Sequence, residues 1–201
     1  LVDIAARYSV GAPMPGEVMA TCPAGVVLIA TAEDGYEDTM VPRLEAAGAN
    51  LKNIHFFDVV RDADGNERPP SFPSDIALWE EAVDRHGATL LYLDPLFAYL
   101  DEDRNSWNDA NMRRALMPLQ KMVEKRDAVL AVIRHWTKSA KQAIYRGGGS
   151  VGIGASARST LTVGTDPDYQ GNPDDASDHK RVLAVGKANL AAKAQSLSYR
   201  L

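Results

Sequence analysis

Leu90-Leu91-Tyr92-Leu93-Asp94-Pro95 is an apolar run that ends in a single acid. An unbroken apolar stretch of this length predicts a strand buried on both faces, as in a parallel sheet. Asp94 then emerges at the carboxyl end of the strand, where open α/β sheets form their ligand crevice. A second copy lies upstream, where Val26-Val27-Leu28-Ile29-Ala30-Thr31-Ala32 runs into Glu33-Asp34. Two acids at the ends of two apolar strands can hold a metal and a water over one site. Either acid alone fits a turn or a helix cap equally well, so the pair carries more than its members.

Around these strands, helical and extended segments alternate. Leu1, Ile4, Ala5 and Tyr8 share one helical face, so the chain opens inside an amphipathic helix, Leu1–Val10, that stops at Gly11. Gly25–Thr31 reads as a strand, Tyr36–Ala47 as a helix closed by Gly48, and Ile54–Val60 as a strand. Asp62–Asn66 is a turn and Pro69–Pro73 a stiff connector. Ser74 is expected to cap a helix running to Arg85, with Gly87 ending it before the strand Thr89–Leu93. Ser106–Asp109 fits a capping box for a helix striped by Met112, Leu116, Leu119 and Val123, in which Pro118 should introduce a kink. Ala128–Ile133 is a further buried strand.

After Ile133 a polar, glycine-rich segment runs to Ala157. Shorter strands follow around Ser159–Val163, Arg181–Lys187 and Gln195–Leu201, with an acidic loop from Thr165 to Asp178 among them. The expected fold is therefore α/β over one domain, residues 1–201. A mostly parallel sheet is flanked by helices, and antiparallel strands are added at the C-terminal edge.

Composition narrows the function classes. Hydrophobic residues make up 45% and charged residues 24% of 201 residues, ordinary values for a globular domain with a sizeable core. The longest apolar runs are strand-sized, which argues against a membrane span. One cysteine, Cys22, excludes an internal disulfide, suits a reducing cytoplasm, and has no partner that would make it a nucleophile. No Cys/His spacing matches a zinc site, and His55, His86 and His179 are scattered. Net charge is −5, yet residues 128–165 contain no acid and carry Arg134, Lys138, Lys141, Arg146 and Arg158. Such a stretch suits phosphates, or else is a solvated basic face.

The order of motifs resembles the RecA-like P-loop ATPase core, in particular the RepA-like branch of ring helicases related to DnaB and KaiC proteins. Carrying the resemblance are Ala32-Glu33-Asp34, Leu90–Pro95, Arg134-His135-Trp136-Thr137-Lys138, Tyr145–Ser150 with Ala157-Arg158-Ser159, and Lys187-Ala188-Asn189. The resemblance spans nearly the whole chain. One part is absent from these residues, because the phosphate-binding loop G-x-x-x-x-G-K-[ST] occurs nowhere among them. In the family that loop precedes a helix like Leu1–Val10, so it is expected upstream of Leu1.

The resemblance implies ATP and Mg²⁺ as cofactors. It makes Asp94 the acid that holds Mg²⁺, Glu33 the catalytic carboxylate that orients or deprotonates water, and Asp34 a cofactor-contacting neighbour. His135 stands where the family places a sensor of the γ-phosphate, Arg158 resembles an arginine finger acting on a neighbouring subunit, and Lys187 a second basic finger. Asn189 departs from relatives with arginine at that position. Fingers acting in trans demand a ring or filament, so the resemblance implies a homo-oligomer, with a hexameric ring one of its forms.

The flanking segment Gly147–Gly152 satisfies G-x-G-x-x-G, but a polar decapeptide precedes it and a strand-like run follows, so a dinucleotide fingerprint is rejected. It reads better as a loop in which Lys138, Lys141, Tyr145 and Arg146 grip single-stranded DNA. The implied activity is ATP hydrolysis coupled to work on nucleic acid, in the manner of a replicative helicase and with no membrane partner. The alternatives are a non-hydrolysing DNA-binding or scaffold module, and a KaiC-like signalling ATPase without nucleic acid.

Overall fold

A computed structural model describes residues 1–20, 22–62, 64–101, 109–135, 151–171 and 180–200. The chain packs as two units, Leu1–Gly152 and Ile153–Leu201.

The first unit opens with α1, Val2–Val10, which ends at Gly11 in the left-handed conformation, φ +65°. Strand β1, Val26–Thr31, follows with Val27 to Ala30 all buried. The approach of α1 to β1 depends on Gly25. A Cβ there would lie 2.4 Å from the Tyr8 ring, whose hydroxyl shares a 2.7 Å hydrogen bond with Thr89 Oγ1. The expected helix Tyr36–Ala47 begins as a wide π turn over Tyr36–Met40 and becomes α-helical only at α2, Val41–Ala46.

The strand expected over Ile54–Val60 is in fact two. β2, Ile54–Phe56, pairs in parallel with β1, and Phe57 N–H adds a last bond to Ile29 O. The chain then turns away, and β3, Val60–Arg61, pairs antiparallel with β4, Glu67–Arg68, as a small hairpin. Its turn is held by Asp62, whose carboxylate accepts the Asp64 and Asn66 amides.

Helix α3, Ile76–His86, starts later than expected, and Ser74 does not cap it. The Ser74 hydroxyl and amide both donate to Asp101 instead. Asp75, first in line as a cap, is pulled back by a two-pronged pair with Arg68 and by the Ser71 amide. Buried Trp79 anchors this helix, edge-on to Phe57 and Tyr99.

β5, Ala88–Asp94, comes next, with Leu90 to Leu93 buried, as the apolar run requires. α4, Asp109–Lys125, continues through Pro118 and buries Met112, Leu116, Leu119 and Met122. β6, Val129–Val132, completes a four-stranded parallel sheet in the order β2-β1-β5-β6. As an edge strand it is only partly covered, with Val129 60% exposed, and is not the buried strand expected over Ala128–Ile133. One face buries Ala5 and Leu44 from α1 and α2 against Val27, Ile29, Ile54, Leu90 and Tyr92. Each fully buried aliphatic side chain in such a core contributes on the order of 1.5–3 kcal/mol.

α5, Val151–Ser156, straddles the boundary and is helical within what the sequence reads as a polar, glycine-rich segment running to Ala157. It leads into β7, Ser159–Thr165, then β8, Lys180–Ala188, and β9, Leu197–Arg200. These form a three-stranded antiparallel sheet in sequence order. Among the described residues, no helix is long and apolar enough to cross a membrane.

Candidate functional site

Strand register builds the site. Thr31 lies opposite Asp94, and Ala32 N–H donates to Asp94 O at 2.8 Å, so Glu33 follows the end of β1 directly beside the end of β5. On the other side Leu93 lies opposite Val132, Ile133 N–H donates to Leu93 O at 2.9 Å, and Leu96 N–H donates to Ile133 O at 3.0 Å. His135 is thereby delivered to the same edge. Three residues separated by up to 102 positions converge because three parallel strands end level with one another.

His135 Nε2 lies 3.0 Å from Glu33 Oε1 and 3.1 Å from Oε2. Both side chains stand about half exposed, at 61% and 49%. Asp94 sits deeper, and its Oδ1 is buried with no hydrogen-bond partner among the described residues. Burial first, and then the negative charge of Glu33, hold its carboxyl above the ordinary aspartate range, with His135 opposing. One donor atom from each of Glu33, Asp94 and His135 falls within 4.8 Å of the others.

Asp94 also faces a cleft of about 200 Å³ lined by Thr31, Asp34, Arg43, Tyr92 and Ile133, among others. Asp34 is paired there with Arg43 Nη1 at 2.9 Å. Arg43 and Thr31 were not singled out in the sequence. The signal for Arg43 is its place about two turns into the helix after Glu33-Asp34, and for Thr31 its place at the strand end.

The second unit holds the remaining described candidates. Arg158 is exposed, and its carbonyl accepts the Asn189 amide at 3.0 Å. Lys187 is engaged: its ammonium donates to the carbonyls of Gly154, Ala155 and Ala157 at 3.1, 2.9 and 2.8 Å. It therefore ties off the carboxyl end of α5, where cations are favoured. Lys138, Lys141, Tyr145 and Arg146 lie outside the described residues.

Residues 1–141 match the AAA domain family, and the chain belongs to it. The solved structure of the RadB recombinase superposes with a TM-score of 0.56 at 17% identity, covering 88% of this chain and 75% of that one. At that identity the likeness concerns the fold, which is the RecA-like P-loop ATPase fold expected from the ordered motifs. No curated protein matches the chain.

Proposed function

We propose that this chain is an ATPase domain that couples ATP hydrolysis to work on single-stranded DNA within a homo-oligomeric ring, of the RepA-like helicase kind. The observation that carries the reading is the convergence of Glu33, Asp94 and His135 at one strand edge, beside a cleft that Thr31, Asp34 and Arg43 help to line. Family membership supports nucleotide hydrolysis, and the RecA-like fold is compatible with it.

Phosphoryl transfer asks a protein for positioning and charge neutralisation more than for covalent chemistry. The unpartnered Asp94 oxygen fits a divalent cation, so Asp94 is the residue that would hold Mg²⁺. When bound, that ion offsets phosphate charge. The residues of this chain do the rest. Glu33, half exposed at the edge, takes the proton of the attacking water, and the His135 contact at 3.0 Å holds the Glu33 carboxylate in place. Because His135 leads straight into the basic segment, movement of its ring as the γ-phosphate leaves would pass to that segment. Arg158 is the side chain offered to a neighbouring subunit. Lys187 can act as a second finger only by giving up its three carbonyl contacts.

The phosphate-binding loop is not among residues 1–201, so hydrolysis is to be measured on a polypeptide that includes one. Glu33→Gln should abolish turnover while ATP binding persists, and unchanged turnover would remove Glu33 from the mechanism. Single-stranded DNA should stimulate hydrolysis. Hydrolysis that DNA leaves unchanged would point to the signalling ATPase, and ATP-independent DNA binding without hydrolysis to the scaffold module.

A further inference from the structure

We infer that Glu33, Asp94 and His135 together form a binding site for a first-row transition cation of the Zn²⁺ type, held directly by one imidazole nitrogen and two carboxylate oxygens. This goes beyond the hydrolytic reading, in which Asp94 alone receives Mg²⁺. Direct ligation by His135 has no part in that reading.

Geometry comes first. A tetrahedral ion with ligand bonds of about 2.0–2.1 Å places its donor atoms about 3.4 Å apart. The Glu33 and His135 donors are already 3.0 Å apart, and all three donors lie within 4.8 Å. Glu33 and His135 are half exposed, so the remainder would have to be closed by rotation of these two side chains toward half-buried Asp94. The supports are rigid, since each ligand follows the end of a strand in one parallel sheet. Three side chains supply three ligands, which leaves the fourth tetrahedral position without a ligand among the described residues, the coordination of an open site and not of a closed structural one.

Chemistry selects the ion. Mg²⁺ demands near-octahedral oxygen ligands and keeps its waters, whereas imidazole nitrogen favours Zn²⁺ and its first-row neighbours. The buried Asp94 Oδ1 lacks a hydrogen-bond partner, and a cation supplies the positive charge that a buried carboxylate needs. The Glu33–His135 contact is one that such an ion would replace on both sides. Occupancy therefore withdraws the Glu33 carboxylate from proton transfer, and Zn²⁺ becomes an inhibitor of any hydrolysis that depends on Glu33.

The test needs no nucleotide. The protein is titrated with Zn²⁺ against a chromophoric chelator, and with Co²⁺ as a visible stand-in. One ion per chain should bind, with the absorption of four- or five-coordinate Co²⁺ and with Zn²⁺ preferred over Mg²⁺ by more than about 100-fold. Loss of outer-shell partners already weakens metal sites 10–100-fold. His135→Ala and Asp94→Asn should therefore each cost about 100-fold or more in Zn²⁺ affinity. Cys22→Ser should cost nothing, which separates this site from the lone thiol. Melting curves matching the parent protein show that the variants remain folded. Zn²⁺ affinity that survives His135→Ala in a folded variant would overturn the site, as would six-coordinate Co²⁺ alone. Either failure leaves the turnover test of Glu33→Gln standing, because Mg²⁺ on Asp94 requires neither Glu33 nor His135 as a ligand.

Discussion

The two units of this chain are held together by different physics. In Leu1–Gly152 the central strands are sealed, with Val27 to Ala30 and Leu90 to Leu93 buried and helices packed over both faces. In Ile153–Leu201 the strands are half open. Leu161 and Val163 are 52% and 54% exposed, and among the described residues only Ile153 and Asp166 have buried side chains there. Order in that unit comes from the antiparallel ladder and from two polar knots. Lys187 binds three carbonyls, and Asp166 gathers Ser198 Oγ, the Asp168 amide and Lys180 Nζ. The comparison teaches that a small sheet with one sparsely covered face can be pinned by a few convergent hydrogen bonds, whereas a parallel sheet needs its core.

Four measurements break or sharpen that contrast. Leu91→Ala should have the largest effect, because Leu91 is 0% exposed at the centre of β5. A loss of about 2–5 kcal/mol is expected in chemical unfolding. A loss below that range would mean the first unit does not depend on its core as described.

Lys187→Met keeps the stem and removes the charge. It should cost about 1–3 kcal/mol, read as faster amide exchange around α5 and the β7–β8 ladder. Unchanged exchange together with lost turnover would instead favour the finger role for Lys187.

Acid pH compares the units directly. Asp75 is held below the ordinary aspartate range chiefly by the Arg68 side chain, and Asp166 chiefly by Ser198 and the Asp168 amide. A depressed folded-state pKa contributes stability that is present above the unfolded value of about 3.9 and lost as pH falls through the folded one. Asp75→Asn should flatten the acid side of the first unit's stability profile, and Asp166→Asn that of the second. An acid limb that neither substitution alters would show that other carboxylates govern it.

The smallest change is expected from Leu161→Ser, within about 0.5 kcal/mol, since the side chain is already half in water. A larger loss would reveal that this apolar face is covered in solution.

Much of the first unit was legible from local pattern. The runs Val26–Thr31 and Leu90–Asp94 read as buried parallel strands because continuous apolar residues suit no other solvated arrangement, and Gly11 and Gly87 marked helix ends because both adopt left-handed backbone. Competition went unseen. Ser74 looked like a cap until Asp101 took its hydroxyl, and Val60 looked continuous with β2 until Arg68 offered a closer partner. Gly152 and Gly154 obscured α5, whose carboxyl end is held by a lysine more than thirty residues away. The missing zinc-like spacing has the same cause. Glu33, Asp94 and His135 come from three strands, so no short motif can contain them.

By itself, the sequence determined that Val26–Thr31 and Leu90–Asp94 form buried strands, where acids leave the sheet, and the RecA-like fold class. Those properties reside in periodicity and in the order of short motifs, which neighbouring residues impose on one another. Only the tertiary structure decided that His135 stands 3.0 Å from Glu33, that Asp94 keeps a buried oxygen without a partner, and that Lys187 is occupied at a helix end. Each of those depends on strand register and on competition among distant polar groups, and both are settled only when the whole chain has packed.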